Sequence, residues 1–439
     1  MASFVLTGTS TTAQILNSTE TGFIGVNGSL VVDTADAISG TGVNSLTILG
    51  ALVNQSFFIS RAAYDFSGTS ATVLIGATGN VSSHSHAIFG RPTAQMLVTN
   101  DGVIAADEAA LNIVSGDSGA TIQVINNGAI SGQEIGMILN SGAQSTIIIN
   151  TGTISGVDTA IQTGRFANDQ TGTATLVNSG TITGVNINAY VGRVGVDDIS
   201  NSGFISGGID LADGDDIYDG KLGSVSGAVV GGAGKDKLFG GVGAENLQGG
   251  DGNDTIKGGA GDDTLLGQAG NDKIRGGTGD DTITGGSDND KIWGQLGEDD
   301  INGGGGEDVL RGGADDDIIQ GGNDDDDIRG GRGDDTINGG ADRDTIRGNG
   351  GNDTIRGGSG NDTFIFANRN GHDTIEEFDA TANGEKIDLS AVTAIRNFNQ
   401  LSNAASQIGA DVLIDTGGNN SIMLLGVDLA DLGNGDFIF

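Results

Sequence analysis

From Gly231 to Ile365 the chain consists of fifteen uninterrupted nonapeptides, 135 residues held in one phase. Position 1 is Gly in every unit, and position 6 is Asp in fourteen, Glu245 being the exception. Position 8 is Leu, Ile or Phe throughout, from Leu238 to Phe364. Typical units read GGDGNDTIK at 249–257 and GGRGDDTIN at 330–338. A period this strict leaves little room for a conventional globular core. It suits a solenoid, in which each unit stacks on its neighbours.

The residue types at each position carry a chemistry. Glycines at positions 1, 2 and 4 let the backbone reach positive φ and turn its carbonyls outward to a ligand. Position 4 departs from Gly only at Asp288, Asp315, Asp324 and Asp342. Asp tolerates the left-handed region, so the turn is expected to survive there. Position 8 is expected to face inward as a ladder of aliphatic rungs. The donors are carboxylate and carbonyl oxygens, the hard ligands that Ca²⁺ takes. One buried aliphatic side chain per nine residues cannot offset the entropy of ordering nine backbones. Carboxylates stacked at a strand spacing of ~4.8 Å also repel by roughly 1 kcal/mol per pair even in bulk water. The segment is therefore expected to be disordered without calcium and to fold on binding it.

These nonapeptides resemble the RTX family of calcium-binding repeat proteins. The resemblance implies a parallel β-roll in which residues 1–6 form a calcium-binding turn and residues 7–9 a short strand. Two units then make one 18-residue coil, and the position-6 acids fall into two columns. One runs Asp236, Asp254, Asp272, Asp290, Asp308, Asp326, Asp344 and Asp362; the other runs Glu245, Asp263, Asp281, Asp299, Asp317, Asp335 and Asp353. If each ion is bracketed by units n and n+2, at most about thirteen Ca²⁺ are expected. Residues 366–439 resemble the segment that follows the repeats in type I secreted proteins, and the closing Asp436-Phe437-Ile438-Phe439 is similar to their uncleaved export signal. The same residues also suit a strand capping the roll's open end. No basic n-region opens the sequence, whose first Lys or Arg is Arg61, so export is expected to bypass a Sec-type signal peptide.

Before residue 210 a second, longer repeat recurs: a turn, glycine, any residue, an aliphatic. It appears around Gly28, Gly50, Gly79, Gly102, Gly128, Gly152, Gly180 and Gly203, on average every 25 residues, and in its later copies starts with Asn100, Asn126, Asn150, Asn178 and Asn201. That length fits one coil of a parallel β-helix with three short strands, and the composition resembles glycine-rich solenoids of bacterial surface and autotransporter-type proteins. Short strands of this kind also fit a β-sandwich. Gly214–Tyr218 looks like one degenerate RTX turn. The expected all-β organisation is a β-helix at 1–210, the calcium-binding β-roll at 211–365, and a cap with secretion signal at 366–439.

The formal net charge of −38 argues against nucleic acid and anionic lipid as partners. No apolar run reaches the length of a membrane span. Cysteine is absent, and the three histidines, His84, His86 and His372, contain no His-Glu-x-x-His pair. No Gly-x-Ser-x-Gly elbow is present. The stretch 116–119 mimics part of a serine-protease motif but reads as a turn, and no catalytic residue is assigned. Positions 7 and 9 of the odd units gather Lys237, Lys257, Lys273, Arg275, Lys291, Arg311, Arg329 and Arg347 on one face, with Trp293 among them. The expected function is that of a secreted, calcium-loaded structural or adhesive protein at the bacterial surface: a matrix protein, adhesin or surface-layer-like component. Its partners would be calcium, the type I secretion machinery, and an anionic polysaccharide or acidic neighbouring copy. The alternative is a polysaccharide-modifying β-helix enzyme of the lyase or epimerase class.

Overall fold

The computed structural model describes residues 2–16, 19–32, 37–54, 62–115, 120–142, 144–163, 172–192, 194–380 and 384–439. It forms two compact units, 1–237 and 238–439. The 116–119 motif lies outside the described residues.

The first unit is a parallel β-helix with three strands per coil. One coil comprises Thr121–Asn126, Ala129–Gly132 and Ile135–Asn140. Each strand lies parallel to its equivalent in the next coil, Ser145–Asn150, Thr153–Gly156 and Thr159–Thr163, with Val124 opposite Ile148 and Ile130 opposite Ile154. This pairing is not that of an antiparallel sandwich. Alternation puts Ile122, Val124, Ile148 and Leu176 inside, each no more than 1% exposed.

Two side-chain rows hold the bends. The recurring asparagines are buried, and each Nδ2 donates to the Oδ1 of the next at 2.8 Å, from Asn100 through Asn126, Asn150 and Asn178 to Asn201. An amide carries both donor and acceptor, so the row satisfies itself along the axis. Beside it the recurring glycines stack closely: a Cβ on Gly152 would collide with the carbonyl of Gly128, and one on Gly180 with that of Gly152. The later copies of the 25-residue element thus mark a column that excludes side chains beside a column of amides.

The second unit opens as a β-roll. Its strands run from position 7 of one repeat to position 3 of the next, as in Thr255–Ala260 and Lys273–Thr278. They are six residues long, not three, because positions 2 and 3 resume parallel pairing after the position-1 glycine, with Ile256 opposite Ile274 and Gly259 opposite Gly277. Odd and even repeats form separate ladders, and position-8 side chains from Leu247 to Phe364 are at most 1% exposed. Beyond the repeats, His372–Glu376 and Lys386–Ala391 continue the two ladders. A short helix, Phe398–Ala404, and the antiparallel strands Ala405–Ile408, Asp411–Asp415 and Ser421–Leu424 follow. Phe437–Ile438 pairs parallel to 387–388, and Phe437 packs on Phe398.

Asn150→Ala takes one acceptor from Asn126 Nδ2, which keeps the Thr153 carbonyl at 2.9 Å, and leaves the Oδ1 of Asn178 facing a gap inside the helix. An unpaired buried group costs roughly 1–3 kcal/mol. The urea midpoint of the first unit, followed by tyrosine fluorescence, is expected to fall by an amount equivalent to about 1 kcal/mol or more.

Candidate metal centre

The turns of the roll adopt the backbone that the glycine pattern requires. Most glycines at positions 2 and 4 have positive φ, and the four Asp residues at position 4 follow them: Asp288 at 73°, Asp315 at 81°, Asp324 at 73° and Asp342 at 74°. Three more residues occupy the same region at position 2, Gln268, Gln295 and Asn349, with φ of 81°, 96° and 75°. For glutamine this conformation is costly, on the order of 1–2 kcal/mol.

Within these turns the position-6 aspartates stack as two columns. Each Oδ1 accepts the backbone N–H of the aspartate 18 residues earlier, at 2.7–3.0 Å, from Asp254→Asp272 to Asp344→Asp362 and from Asp263→Asp281 to Asp335→Asp353. The side chains from Asp236 to Asp362 are at most 3% exposed. The second oxygen, Oδ2, has no hydrogen-bond partner in Asp263, Asp272, Asp281, Asp290, Asp299, Asp308, Asp317, Asp326, Asp335, Asp344, Asp353 and Asp362. A Cβ on Gly267 would collide with Asp272 Oδ2 and meet the carbonyl of Gly285 at 2.5 Å; Gly285 stands likewise to Asp290 and Gly303. The position-1 glycines from Gly249 to Gly303, and Gly321 and Gly339, therefore each open a small hollow faced by a carboxylate oxygen and a carbonyl from the next coil, two acceptors with no donor between them.

That donor set fits Ca²⁺, which takes roughly six to eight oxygen ligands at about 2.3–2.6 Å in flexible geometry. Among the described residues no three His, Cys, Asp or Glu side chains converge as a metal cluster. The hollows instead set a carboxylate oxygen against a backbone carbonyl, as at Gly267 and Gly285. When bound, calcium supplies the positive charge that the stacked acceptors lack.

Burial, first of all, raises these carboxyls well above the usual carboxylate range. The amide bonded to Oδ1 opposes the rise, and neighbouring carboxylates in the column reinforce it. The result is about 6 for Asp263 and Asp281, about 7 for Asp272 and Asp299, and about 8 for Asp290, Asp317 and Asp326.

Glu245 differs from the other fourteen. Its N–H joins the column by donating to Asp263 Oδ1 at 2.7 Å, but its Oε2 turns back to accept the N–H of Gly241 in its own turn at 3.0 Å. The extra methylene allows that return, and Gly241 and Gly243 lack the positive φ seen elsewhere. The sequence period alone does not show this.

Two features escaped the position-6 pattern. Position 5 forms a second, exposed ladder of opposite sense: Asn253, Asp262, Asn271, Asp280, Asn289, Asp316, Asp325 and Asp334 each accept the N–H of the residue 18 positions later, at 2.7–3.2 Å. The even column also runs past the repeats, since Asp353 N–H donates to Asp373 Oδ1 at 3.1 Å and Asp373 is 1% exposed. Its signal was visible in the HDTIE stretch at 372–376, two residues out of phase. The histidines make no comparable site. His84 Nε2 lies 4.0 Å from Asp107 and His86 Nδ1 3.8 Å from Glu108, while His86 Nε2 is 2.9 Å from Asn112 Nδ2.

Fold and turns together define a calcium-binding parallel β-roll. Residues 229–364 match the family model of the RTX calcium-binding nonapeptide repeat in overlapping stretches, 229–244, 239–274, 266–301, 275–310, 302–337 and 329–364, and this segment belongs to that family. RTX nonapeptide repeats bind calcium. Among solved structures, the crystal structure of the extracellular lipase LipA from Serratia marcescens is similar at 18% identity with a TM-score of 0.25. The match covers 47% of this chain and 40% of the lipase, so the chain spans less than half of that protein. No curated protein matches the sequence.

The raised carboxyls fix a pH dependence. A group whose folded pKa lies above its unfolded value, about 3.9 for Asp, stabilises the fold fully below that value and loses the contribution as pH rises through the folded pKa. In chelator, the β-signal of the roll in circular dichroism is therefore expected to weaken between about pH 4 and pH 8. With calcium in limited supply the order inverts: bound calcium is expected to fall as pH drops from 8 to 6, because protonated carboxyls do not ligate.

Proposed function

We propose that this chain is a secreted structural or adhesive protein of the bacterial surface or matrix, folded by calcium after export. The observation that carries the reading is the double column of buried aspartates, in which those from Asp263 to Asp362 each leave an oxygen for a cation. The position-6 residues Asp236, Asp254 to Asp362 in steps of nine, and Glu245 by its place in the turn, would bracket up to about thirteen ions. In a low-calcium cytosol the roll stays unfolded and can thread a channel; outside, millimolar calcium suffices for sites with Kd of order 10⁻⁴–10⁻³ M. In functional terms the chain divides into a β-helix at 1–210, the calcium roll at 211–365, and a cap carrying the export address at 366–439.

The surface supports a structural role over catalysis. The hollow beside Ser82, Ala105, Asp107, Ser131 and Gln133, and the one beside Ser200, Asp219, Lys221 and Leu222, each present a single carboxylate. Asp219 is paired with Lys221 at 2.9 Å. Tyr64, Tyr190 and Tyr218 are all buried, at most 1% exposed, and so lie outside any open groove. Among the described residues no helix is long and apolar enough to cross a membrane.

One face of the roll suits an anionic partner. Register places Lys257, Arg275, Trp293, Arg311, Arg329 and Arg347 side by side on consecutive strands, with Lys273 and Lys291 in the adjoining row. Arg275 stacks on Trp293 at 4.8 Å. Arg329 and Arg347 share Asp327 at 3.0 and 2.8 Å, the acid within the row. Replacing Lys273, Arg275, Arg311 and Arg329 together with Glu is expected to abolish retention of the protein on its producing cell while leaving calcium-induced folding intact. Full retention by a folded variant would discard the docking role of this face.

A further inference from the structure

The N-terminal unit contains two turns built like those of the roll but outside the matched repeats, which begin at residue 229. Residues 192–200 read GRVGVDDIS, which sets Gly192 at position 1, Gly195 at position 4 with φ of 138°, Asp197 at position 6 and buried Ile199 at position 8. Residues 211–219, LADGDDIYD, repeat the frame, with Ala212 at φ 72° and Asp216 at position 6. The spacing is 19 residues here and 20 to the next turn, so the second turn shows in the sequence only as a degenerate copy at 214–218 and the first does not show at all.

The bonding is that of the roll. The N–H of Asp197 donates to Asp216 Oδ1 at 2.7 Å, and the N–H of Asp216 to Asp236 Oδ1 at 2.8 Å. Asp197 is 4% exposed and Asp216 not at all, and the Oδ2 of each has no hydrogen-bond partner. A Cβ on Gly192 would collide with Asp197 Oδ2 and meet the carbonyl of Leu211 at 2.5 Å, the same pair of acceptors found at Gly267 and Gly285 of the roll. As first in its column, Asp197 has no earlier aspartate N–H to accept. Its Oδ1 takes the hydroxyl of Tyr190 at 2.9 Å instead, and that hydroxyl lies 3.2 Å from Thr163 Oγ1. Tyr190 ends the column as a fixed donor.

We propose a calcium site in the N-terminal unit, held by Asp197 beside Gly192 and by the Leu211 carbonyl of the turn at 211–216. The donors are oxygens only, and carbonyls on a pliant turn suit Ca²⁺ better than the strict octahedron of Mg²⁺. This site rests on the calcium reading of the roll, yet the two are separable because their sensitisers differ. Terbium, a luminescent stand-in for Ca²⁺, is excited through Trp293 at the roll and through Tyr190 at the new site.

The test uses the full chain. In Trp293→Phe, tyrosine-excited terbium emission is expected to persist, and adding Asp197→Asn or Gly192→Ala is expected to lower it at least twofold. Each of these two changes in the unaltered background is expected to remove one calcium per chain by native mass spectrometry while tryptophan-excited emission stays unchanged. Absence of tyrosine-excited emission from Trp293→Phe, or an unchanged calcium count in both Asp197→Asn and Gly192→Ala, would overturn the site. Loss of tryptophan-excited emission from the unaltered chain would instead strike the calcium reading of the roll.

Discussion

A carboxylate has two oxygens and no proton to give, and the roll buries one carboxylate in almost every turn. One oxygen is satisfied by the N–H of the coil before it; the other faces a carbonyl. Hydrogen bonds between protein groups cannot close this arrangement, because every atom at the hollow is an acceptor. A proton or a cation must enter. On the proposed reading, the aliphatic rungs and the parallel ladders depend on that ion.

The two solenoids solve one problem in opposite ways. Stacking identical turns brings identical side chains into register, so each row must either satisfy itself or recruit something else. The Asn100–Asn201 row satisfies itself, since every amide gives one bond and takes one. Exchanging amide for carboxylate, as in the roll, removes the donor and creates the need for metal. On the proposed reading the roll is tied to calcium while the asparagine row is not. Asp197 and Asp216 begin an aspartate column inside the N-terminal unit, Asp197 lying opposite Ala174 of the coil before and four residues ahead of Asn201 in the same strand.

Much of this was legible in the residues because period and chemistry coincide. Gly at position 1 and an aliphatic at position 8 set the nine-residue period, the family resemblance supplied the 18-residue coil, and aspartate's tolerance of positive φ foretold Asp288, Asp315, Asp324 and Asp342. The longer repeat announced a three-stranded coil, but its asparagines read as turn residues, since burial at the inner end of a strand leaves no trace in composition. Gln268 and Gln295 take a conformation their side chains disfavour, imposed by glycine-built neighbours above and below. Glu245 looked equivalent to its column and is not, because one methylene redirects a carboxylate. The Gly192–Asp197 turn went unread for want of a phased neighbour.

The most direct measurement is hydrogen exchange on the intact protein at neutral pH, with saturating calcium and with excess chelator, resolved by peptide. If unpaired buried carboxylates make the roll conditional on metal, amides across 249–362 exchange at unfolded-chain rates in chelator and are strongly protected in calcium, while those of 121–163 remain protected in both. Protection of 249–362 that persists in chelator would contradict the account.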